Sequence, residues 1–136
     1  MLDRMPAGSK LIKVDLVNWN EIDQIVLRET DFEGHRLESR LGDLSDRKFF
    51  DSMAPEIAKC DLLFVDSPKN VVFETTLLKY LSELKIKTDM ILMFDDIRQW
   101  NMLDIWRRVE RPKIDATSFE HWTGTGLIGW NGKAED

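Results

Sequence analysis

The chain has 136 residues, 43% of them apolar, and a formal net charge of −6, which is typical of a single globular domain with one core. No apolar run approaches the roughly 20 residues of a membrane span, and segment 1–10 lacks the apolar stretch of a secretory signal. The acidic charge without a basic stripe argues against nucleic acid and a membrane surface as partners. Cys60 is the only cysteine, so no internal disulfide forms and a reducing, cytoplasmic location is expected.

Strand-like and helix-like patterns alternate along the chain. In chain order they predict a strand over 11–17, a helix over 21–27, a strand over 36–40, a helix over about 46–58, a strand over 62–65, a helix over about 71–84, a strand over 90–94, a helix over 100–109, and strands over 113–119 and 126–130. The last two are expected to form a hairpin. The order predicts an α/β fold with an open, mostly parallel sheet and an antiparallel hairpin at one edge.

Carboxylates follow two of the predicted strands. The strand over 62–65 ends at Asp66, because Pro68 cannot continue a central strand, and the strand over 90–94 runs into Asp95 and Asp96. A helix connects the two strands, so they are expected to be parallel, with a right-handed crossover. The carboxyl edge of the sheet, where α/β proteins bind ligands, would then hold all three aspartates together with Lys69.

These side chains allow two interpretations each. Three carboxylates without His or Cys suit a hard cation such as Mg²⁺, Mn²⁺ or Ca²⁺, but Asp66 and Asp96 could instead cap the helices that follow them. Lys69 could be a general base whose ammonium form a neighbouring cation disfavours, or simply a solvated lysine. Cys60, next to a buried strand, is expected to be a core thiol rather than a nucleophile.

The segment Phe64-Val65-Asp66-Ser67-Pro68-Lys69 resembles the Phe-Ile-Asp-x-x-Lys strand end of cation-dependent class I O-methyltransferases. The resemblance implies that Asp66 binds a divalent metal and that Lys69 deprotonates the acceptor hydroxyl. Asp95-Asp96 stands where that family has Asp-Asn, and would complete the metal site. The second aspartate departs from the family pattern but remains an oxygen ligand.

The same resemblance implies a cofactor site for S-adenosylmethionine. Asp15 matches the acidic residue that holds the ribose hydroxyls, and Gly42-Asp43 matches the segment near the adenine. From about Gly8 onward, and most specifically over 94–103, 111–113 and 117–127, the chain resembles a bacterial subgroup of predicted class I methyltransferases. Within that resemblance Arg98, His121 and Trp122 are candidates for substrate contact; the alternative is that Trp122 packs as an edge aromatic and His121 is merely exposed.

One part of the family pattern is missing. The family begins with a strand and a Gly-rich turn near the methionine part of the cofactor, and no Gly-x-Gly segment precedes Asp15. The resemblance therefore implies, over 1–136, a single partial Rossmann-like methyltransferase domain without its first strand and helix. That strand normally lies between the strands of Asp15 and Asp66. The strands could re-pair, a second copy or another chain could complete the sheet, or the sequence could be a fragment of a longer protein.

Two hypotheses of function follow. The first is an enzyme that transfers methyl from S-adenosylmethionine to a hydroxyl of a small molecule or glycan, with a divalent cation such as Mg²⁺ as a second cofactor. The second is a non-catalytic methyltransferase-like remnant or fragment that acts as a binding or interaction module, which the missing Gly-rich turn motivates. A phosphate-handling protein with an acidic metal site is a weaker third possibility, because the sequence contains no P-loop.

Overall fold

The structure is a computed structural model that describes residues 4–21, 27–87, 89–119 and 122–130. The chain divides into two compact units, Met1–Asp46 and Arg47–Asp136, and each is considered by itself. Among the described residues, no helix combines the length and the apolar character needed to cross a membrane.

The first unit is built on two parallel strands, β1 (Leu11–Asp15) and β2 (Leu37–Leu41). Because parallel strands end at the same edge, Asp15 lies directly opposite Leu41. Two short 3₁₀ helices, Trp19–Glu21 and Glu29–His35, follow β1. The predicted helix over 21–27 falls almost entirely outside the described residues.

Besides a short 3₁₀ helix at Thr117–Phe119, the described part of the second unit contains three α-helices and four strands. In chain order they are α1 (Arg47–Ile57), β3 (Leu62–Val65), α2 (Val72–Glu83), β4 (Met90–Asp95), α3 (Met102–Arg108), β5 (Lys113–Asp115) and β6 (Thr125–Trp130). The strands form one sheet in the order β3-β4-β6-β5. β3 and β4 are parallel, whereas β6 is antiparallel to both β4 and β5.

The α/β class, the parallel β3-α2-β4 unit and the C-terminal antiparallel hairpin are confirmed. Within the described residues, however, the strands form two sheets rather than the one open sheet predicted. The strand predicted over 113–119 is also too long, and β5 ends at Asp115. The reason is local: the Asp115 carboxylate accepts hydrogen bonds from the amide and hydroxyl of Thr117, which closes a turn in competition with the strand ladder.

The two faces of the four-stranded sheet have different surroundings. On one face Leu92 and Ile128 are fully buried as cross-strand partners. α3 packs against this face through Trp106. Its ring lies so close to Gly126 that a Cβ added there would be only 2.6 Å away. The opposite face, called the open face below, carries apolar side chains that remain 46–63% exposed: Leu62, Phe64, Ile91 and Ile114.

The helices of this unit each bury one stripe of side chains. In α2 the buried positions are Glu74, Leu77 and Leu81, and this spacing of three and four residues places them on one side of the helix. In α1 the buried residues Phe50, Met53 and Ile57 follow the same rule. A carboxylate at the start of such a buried stripe is unusual, and Glu74 accepts hydrogen bonds from the turn that precedes α2.

Candidate functional site

The parallel pairing of β3 and β4 brings three carboxylates together. Val65 pairs with Phe94, so Asp66, which follows β3, lies beside Asp95 and Asp96 at the end of β4. One carboxylate oxygen from each aspartate can be chosen so that all three lie within 4.8 Å of one another. The expectation that the strand ends gather these side chains is therefore confirmed. Their mutual approach is compatible with binding of one cation by all three carboxylates.

Lys69 lies against the same carboxylates. Its Nζ is 2.5 Å from Asp66 Oδ1 and 3.4 Å from Asp96 Oδ2. Only 4% of the Lys69 side chain is exposed, against 62% for Asp66 and 21% for Asp96. The ammonium group is thus covered by protein while the carboxylates open to solvent, so a ligand can reach them without displacing the lysine stem.

The backbone at this site adopts left-handed conformations. Lys69 and Asp96 both have φ of 56°, and Val71 has φ of 71°. None of these residues is glycine, and the branched Cβ of Val71 makes its conformation especially unfavourable. Each such residue costs about 1–3 kcal/mol, and this kind of strain clusters at functional sites. The strain lies in the two turns that carry the carboxylates.

The helix-capping interpretation does not hold for Asp66 or Asp96. α2 begins at Val72, and the residue that bonds its first turn is Asn70, whose Oδ1 accepts a hydrogen bond of 2.9 Å from the Phe73 amide. α3 begins at Met102, and its N-cap residue is Asn101. Both helices therefore start too far along the chain for the strand-end carboxylates to cap them.

The sequence-based reasoning missed Ser67 and Glu74. Glu74 is fully buried, and its Oε1 accepts hydrogen bonds from the Lys69 amide, at 3.1 Å, and from the Ser67 hydroxyl. A signal was present in the sequence, because Glu74 is the third residue of α2, where an acidic residue often reaches back to the preceding turn. The Ser67 hydroxyl had no comparable signal.

The predicted cofactor residues lie together in the first unit. The Gly42 amide donates a hydrogen bond of 2.9 Å to the Asp15 carbonyl, and Asp43 follows directly. The Asp15 carboxylate is 2.6 Å from Lys13 Nζ and accepts a bond from the Val17 amide. The hydrogen bond from Lys13 is the main cause that lowers the pKa of Asp15. Asp43 accepts bonds from the amide and hydroxyl of Ser45.

The three predicted substrate residues have different outcomes. Arg98 Nη2 is 2.7 Å from Asp115 Oδ2, and the Arg98 amide donates to the Thr123 carbonyl, so Arg98 joins the β4–α3 loop to the loop before β6. Trp122 is 85% exposed, which contradicts its packing as an edge aromatic. His121 lies outside the described residues. Substrate contact by Arg98 and Trp122 stays a prediction.

Cys60 has the surroundings of a structural thiol. Its Sγ lies 3.3 Å from Met90 Sδ. Burial raises the pKa of the Cys60 thiol, and the neighbouring charge of Asp61 raises it further. Because the thiolate is the nucleophilic form, these surroundings favour the core-thiol interpretation.

The donor set of the candidate site fits a divalent cation. Asp66, Asp95 and Asp96 offer hard carboxylate oxygens at the distances described above, and exposure of Asp66 leaves room for waters or a hydroxyl ligand. Comparison with protein-family models, curated protein sequences and solved structures gives no match.

Proposed function

We propose that this chain is an S-adenosylmethionine-dependent methyltransferase that methylates a hydroxyl of a small molecule or glycan with the help of a divalent cation. The observation that supports this proposal is the position of Lys69. Its Nζ lies between the carboxylates of Asp66 and Asp96, within a group of three aspartates that can share one cation. The site thus combines a candidate proton acceptor and a candidate metal centre in one place.

The proposed reaction assigns a separate task to each group. When bound, a divalent cation would supply a Lewis acid that acidifies the acceptor hydroxyl. Asp66, Asp95 and Asp96 provide its oxygen ligands. Lys69, in its neutral amine form, would take the proton of the hydroxyl at Nζ. Bond formation from the acceptor oxygen to the methyl carbon would break the carbon–sulfur bond of S-adenosylmethionine, and the electron pair of that bond would leave with sulfur as a neutral thioether.

The cofactor half of the proposal is supported by the carboxyl ends of β1 and β2. Asp15, Gly42 and Asp43 lie at this edge, and carboxylates there are suited to bind ribose hydroxyls. The assignment of the methyl donor comes from the sequence resemblance. Lys69 and the three aspartates support cation binding and proton transfer.

The test combines two substitutions at the strand ends. We expect that the double variant Asp66→Ala with Asp95→Ala loses both methyl transfer and its dependence on Mg²⁺ or Mn²⁺, because two of the three ligands are removed. Transfer of a radiolabelled methyl group to a panel of small hydroxyl compounds and glycans measures the activity, and Mn²⁺ titration measures the cation affinity. Unchanged transfer and unchanged metal dependence in the double variant would show that the mechanism is wrong.

The open face and the edge of β3 support a second candidate function, an interaction module. In the described part of the chain β3 pairs only with β4, and its Leu62 and Phe64 side chains are 55% and 52% exposed. An apolar face beside an unpaired strand edge is suited to take up an extended segment of another chain.

The charges beside β3 define the occupant of this second candidate. Asp61 directly precedes β3 and Asp66 directly follows it. If β3 paired in register with β3 of a second copy, either parallel or antiparallel, the carboxylates at its two ends would lie next to carboxylates of the other copy. Like charges directly opposite each other are unfavourable. The occupant is therefore an apolar strand of a different protein with Lys or Arg at its ends.

Calorimetry with S-adenosylmethionine separates the two candidate functions, because tight stoichiometric binding would exclude a non-catalytic module.

A further inference from the structure

We infer that Glu74 is a positioning residue, which holds the turn between β3 and α2 in the conformation that brings Lys69 to the carboxylates. Glu74 is the third residue of α2 and has 0% of its surface exposed. Complete burial of a carboxyl group is costly unless hydrogen bonds compensate for the lost water. The groups that supply those hydrogen bonds therefore indicate what Glu74 does.

Both donors to Glu74 lie in the turn that carries Lys69. Oε1 accepts from the backbone amide of Lys69 at 3.1 Å and from the Ser67 hydroxyl. These two residues flank Pro68, so one carboxylate oxygen holds together the residues on either side of that proline. Asn70 adds a second tether by accepting from the Phe73 amide. The left-handed conformation of Lys69, with φ of 56°, is thus held by contacts to the helix that follows it.

The direction of the Glu74 side chain distinguishes it from an ordinary helix cap. An acidic residue at the third helical position usually bonds the amide of the N-cap residue. In α2 the N-cap residue is Val71, but Glu74 reaches past it to the Lys69 amide. The hydrogen bond consequently stabilises the turn of the candidate site.

Glu74 carries this role at a cost. Its second oxygen, Oε2, is buried without a hydrogen-bond partner among the described residues. A buried polar atom without a partner lowers stability, and such atoms in folded proteins call for a specific explanation. Holding the strained turn of Lys69 is that explanation. The inference rests on the proposed function for the task of Lys69, but the conformation of the turn can be measured without any activity.

The test compares three variants of the full chain. Glu74→Leu removes the acceptor, Glu74→Gln keeps an amide oxygen in its place, and Leu77→Ala removes a fully buried side chain from the same stripe of α2 as a control for lost stability. Hydrogen exchange of the Lys69 amide, relative to that of Leu92 in the core, measures the turn. Electron paramagnetic resonance titration with Mn²⁺ measures cation affinity.

We expect Glu74→Leu to speed exchange at Lys69 selectively and to tighten Mn²⁺ binding by up to about tenfold, because the Lys69 ammonium group, which competes for Asp66 and Asp96, is no longer held against them. Glu74→Gln should restore both values to within about threefold, because its oxygen can accept the same two hydrogen bonds. Leu77→Ala should lower global stability without a selective change at Lys69 or in Mn²⁺ affinity. If exchange at Lys69 and Mn²⁺ affinity depended only on global stability, Glu74→Leu and Leu77→Ala would change them alike.

The outcomes separate this inference from the proposed function. Suppose that the wild-type protein binds Mn²⁺ and that Glu74→Leu changes neither the protection of the Lys69 amide nor the Mn²⁺ affinity. That result would overturn the inference about Glu74 but would agree with the proposed metal centre. If the wild-type protein does not bind Mn²⁺, the proposed metal centre is wrong. The inference about Glu74 is then tested by the hydrogen-exchange rate of the Lys69 amide alone. If Glu74→Leu does not fold, the wild-type protein decides: a Lys69 amide that exchanges as fast as in an unfolded chain would overturn the inference, because it would show that Glu74 does not hold that amide.

Discussion

The aspartates at the strand ends fall into two groups with different surroundings. Asp15 ends β1 and Asp115 ends β5, and both accept a hydrogen bond from the amide two residues later. Each also pairs with a cation on the protein surface, Lys13 at 2.6 Å for Asp15 and Arg98 at 2.7 Å for Asp115. These two carboxylates close local turns, and the ion pairs that they form with partly exposed partners contribute little to stability.

Asp66 and Asp96 differ from that first group in the cation beside them, which is Lys69. Lys69 is almost completely covered, whereas Lys13 is 28% exposed and Arg98 is 49% exposed. Covering an ammonium group costs much more free energy than leaving it at the surface. A carboxylate after a strand is therefore weak support for a site by itself. The covered lysine, together with the strained turns at Lys69 and Asp96, is what sets this cluster apart.

The largest effect is expected from removing the covered ammonium group. Lys69→Met keeps the length of the side chain and removes the proton acceptor, so the rate of methyl transfer should fall about a thousandfold. Mn²⁺ binding should become about tenfold tighter, because a positive charge that competes for Asp66 and Asp96 is gone. Methyl-transfer rates and Mn²⁺ titration measure the two effects.

The matched control for this variant is Lys13→Met, in the middle of β1. Lys13 pairs with Asp15 at a similar distance, but its side chain is partly exposed to solvent. Its partner Asp15 closes a local turn. We expect changes of about twofold at most in rate and cation affinity. Equal losses in the two lysine variants would contradict the distinction between the two groups of aspartates.

A smaller effect is expected from Asp96→Asn, which keeps an oxygen ligand and removes one negative charge. Mn²⁺ affinity should fall about tenfold, since amide oxygens bind hard cations more weakly than carboxylates do. Asp15→Asn, the corresponding change in the first unit, should leave the affinity for Mn²⁺ unchanged. Calorimetric titration with Mn²⁺ measures both. A weaker affinity in Asp15→Asn would mean that Asp15 also takes part in cation binding.

The smallest effect is the pH dependence of stability that Asp115 contributes. The hydrogen bond from the Thr117 hydroxyl, followed by that from Arg98, lowers the pKa of Asp115 from 3.8 to about 2. Because the folded pKa is the lower one, this stabilisation is present above about pH 4 and is lost as the pH falls toward 2. Its size is less than about 1 kcal/mol, since the pair is partly exposed to solvent.

Urea unfolding of wild-type protein and Asp115→Asn between pH 2 and pH 5 checks this prediction. The wild-type protein should lose more unfolding free energy across that range than the variant. Identical slopes would show that Asp115 is no better stabilised in the folded protein than in the unfolded chain.

The sequence predicted the second unit better than it predicted how the strands are arranged in sheets. Short apolar runs with a helical stripe between them were sufficient for β3, α2 and β4, because both periodicities are local. The separation of β1 and β2 from the other strands could not be predicted, since ladder pairing depends on contacts between distant segments. The early end of β5 depended on a turn that the Asp115 side chain closes, and a residue type alone does not reveal such a turn.

For the candidate site, the aspartates could be predicted from the sequence, but the burial of Lys69 and the role of Glu74 could not. Parallel strands bring residues at their carboxyl ends together, so Asp66, Asp95 and Asp96 followed from strand order. The burial of Lys69 depends on the left-handed turn, and that turn depends on Glu74. Sequence spacing alone places Glu74 in the first turn of a helix but does not name its hydrogen-bond partner. The conformation of the turn was needed to show which amide it bonds.

The charged residues beside β3 also have a consequence for the behaviour of the protein in concentrated solution. An edge strand with outward apolar side chains is a template on which unfolded or neighbouring chains can add strands and grow into aggregates. Charges immediately beside such a segment act as gatekeepers that oppose this growth. β3 has one at each end, Asp61 and Asp66. Neutralisation of Asp66 therefore removes one of these two gatekeepers and makes the strand more prone to aggregation.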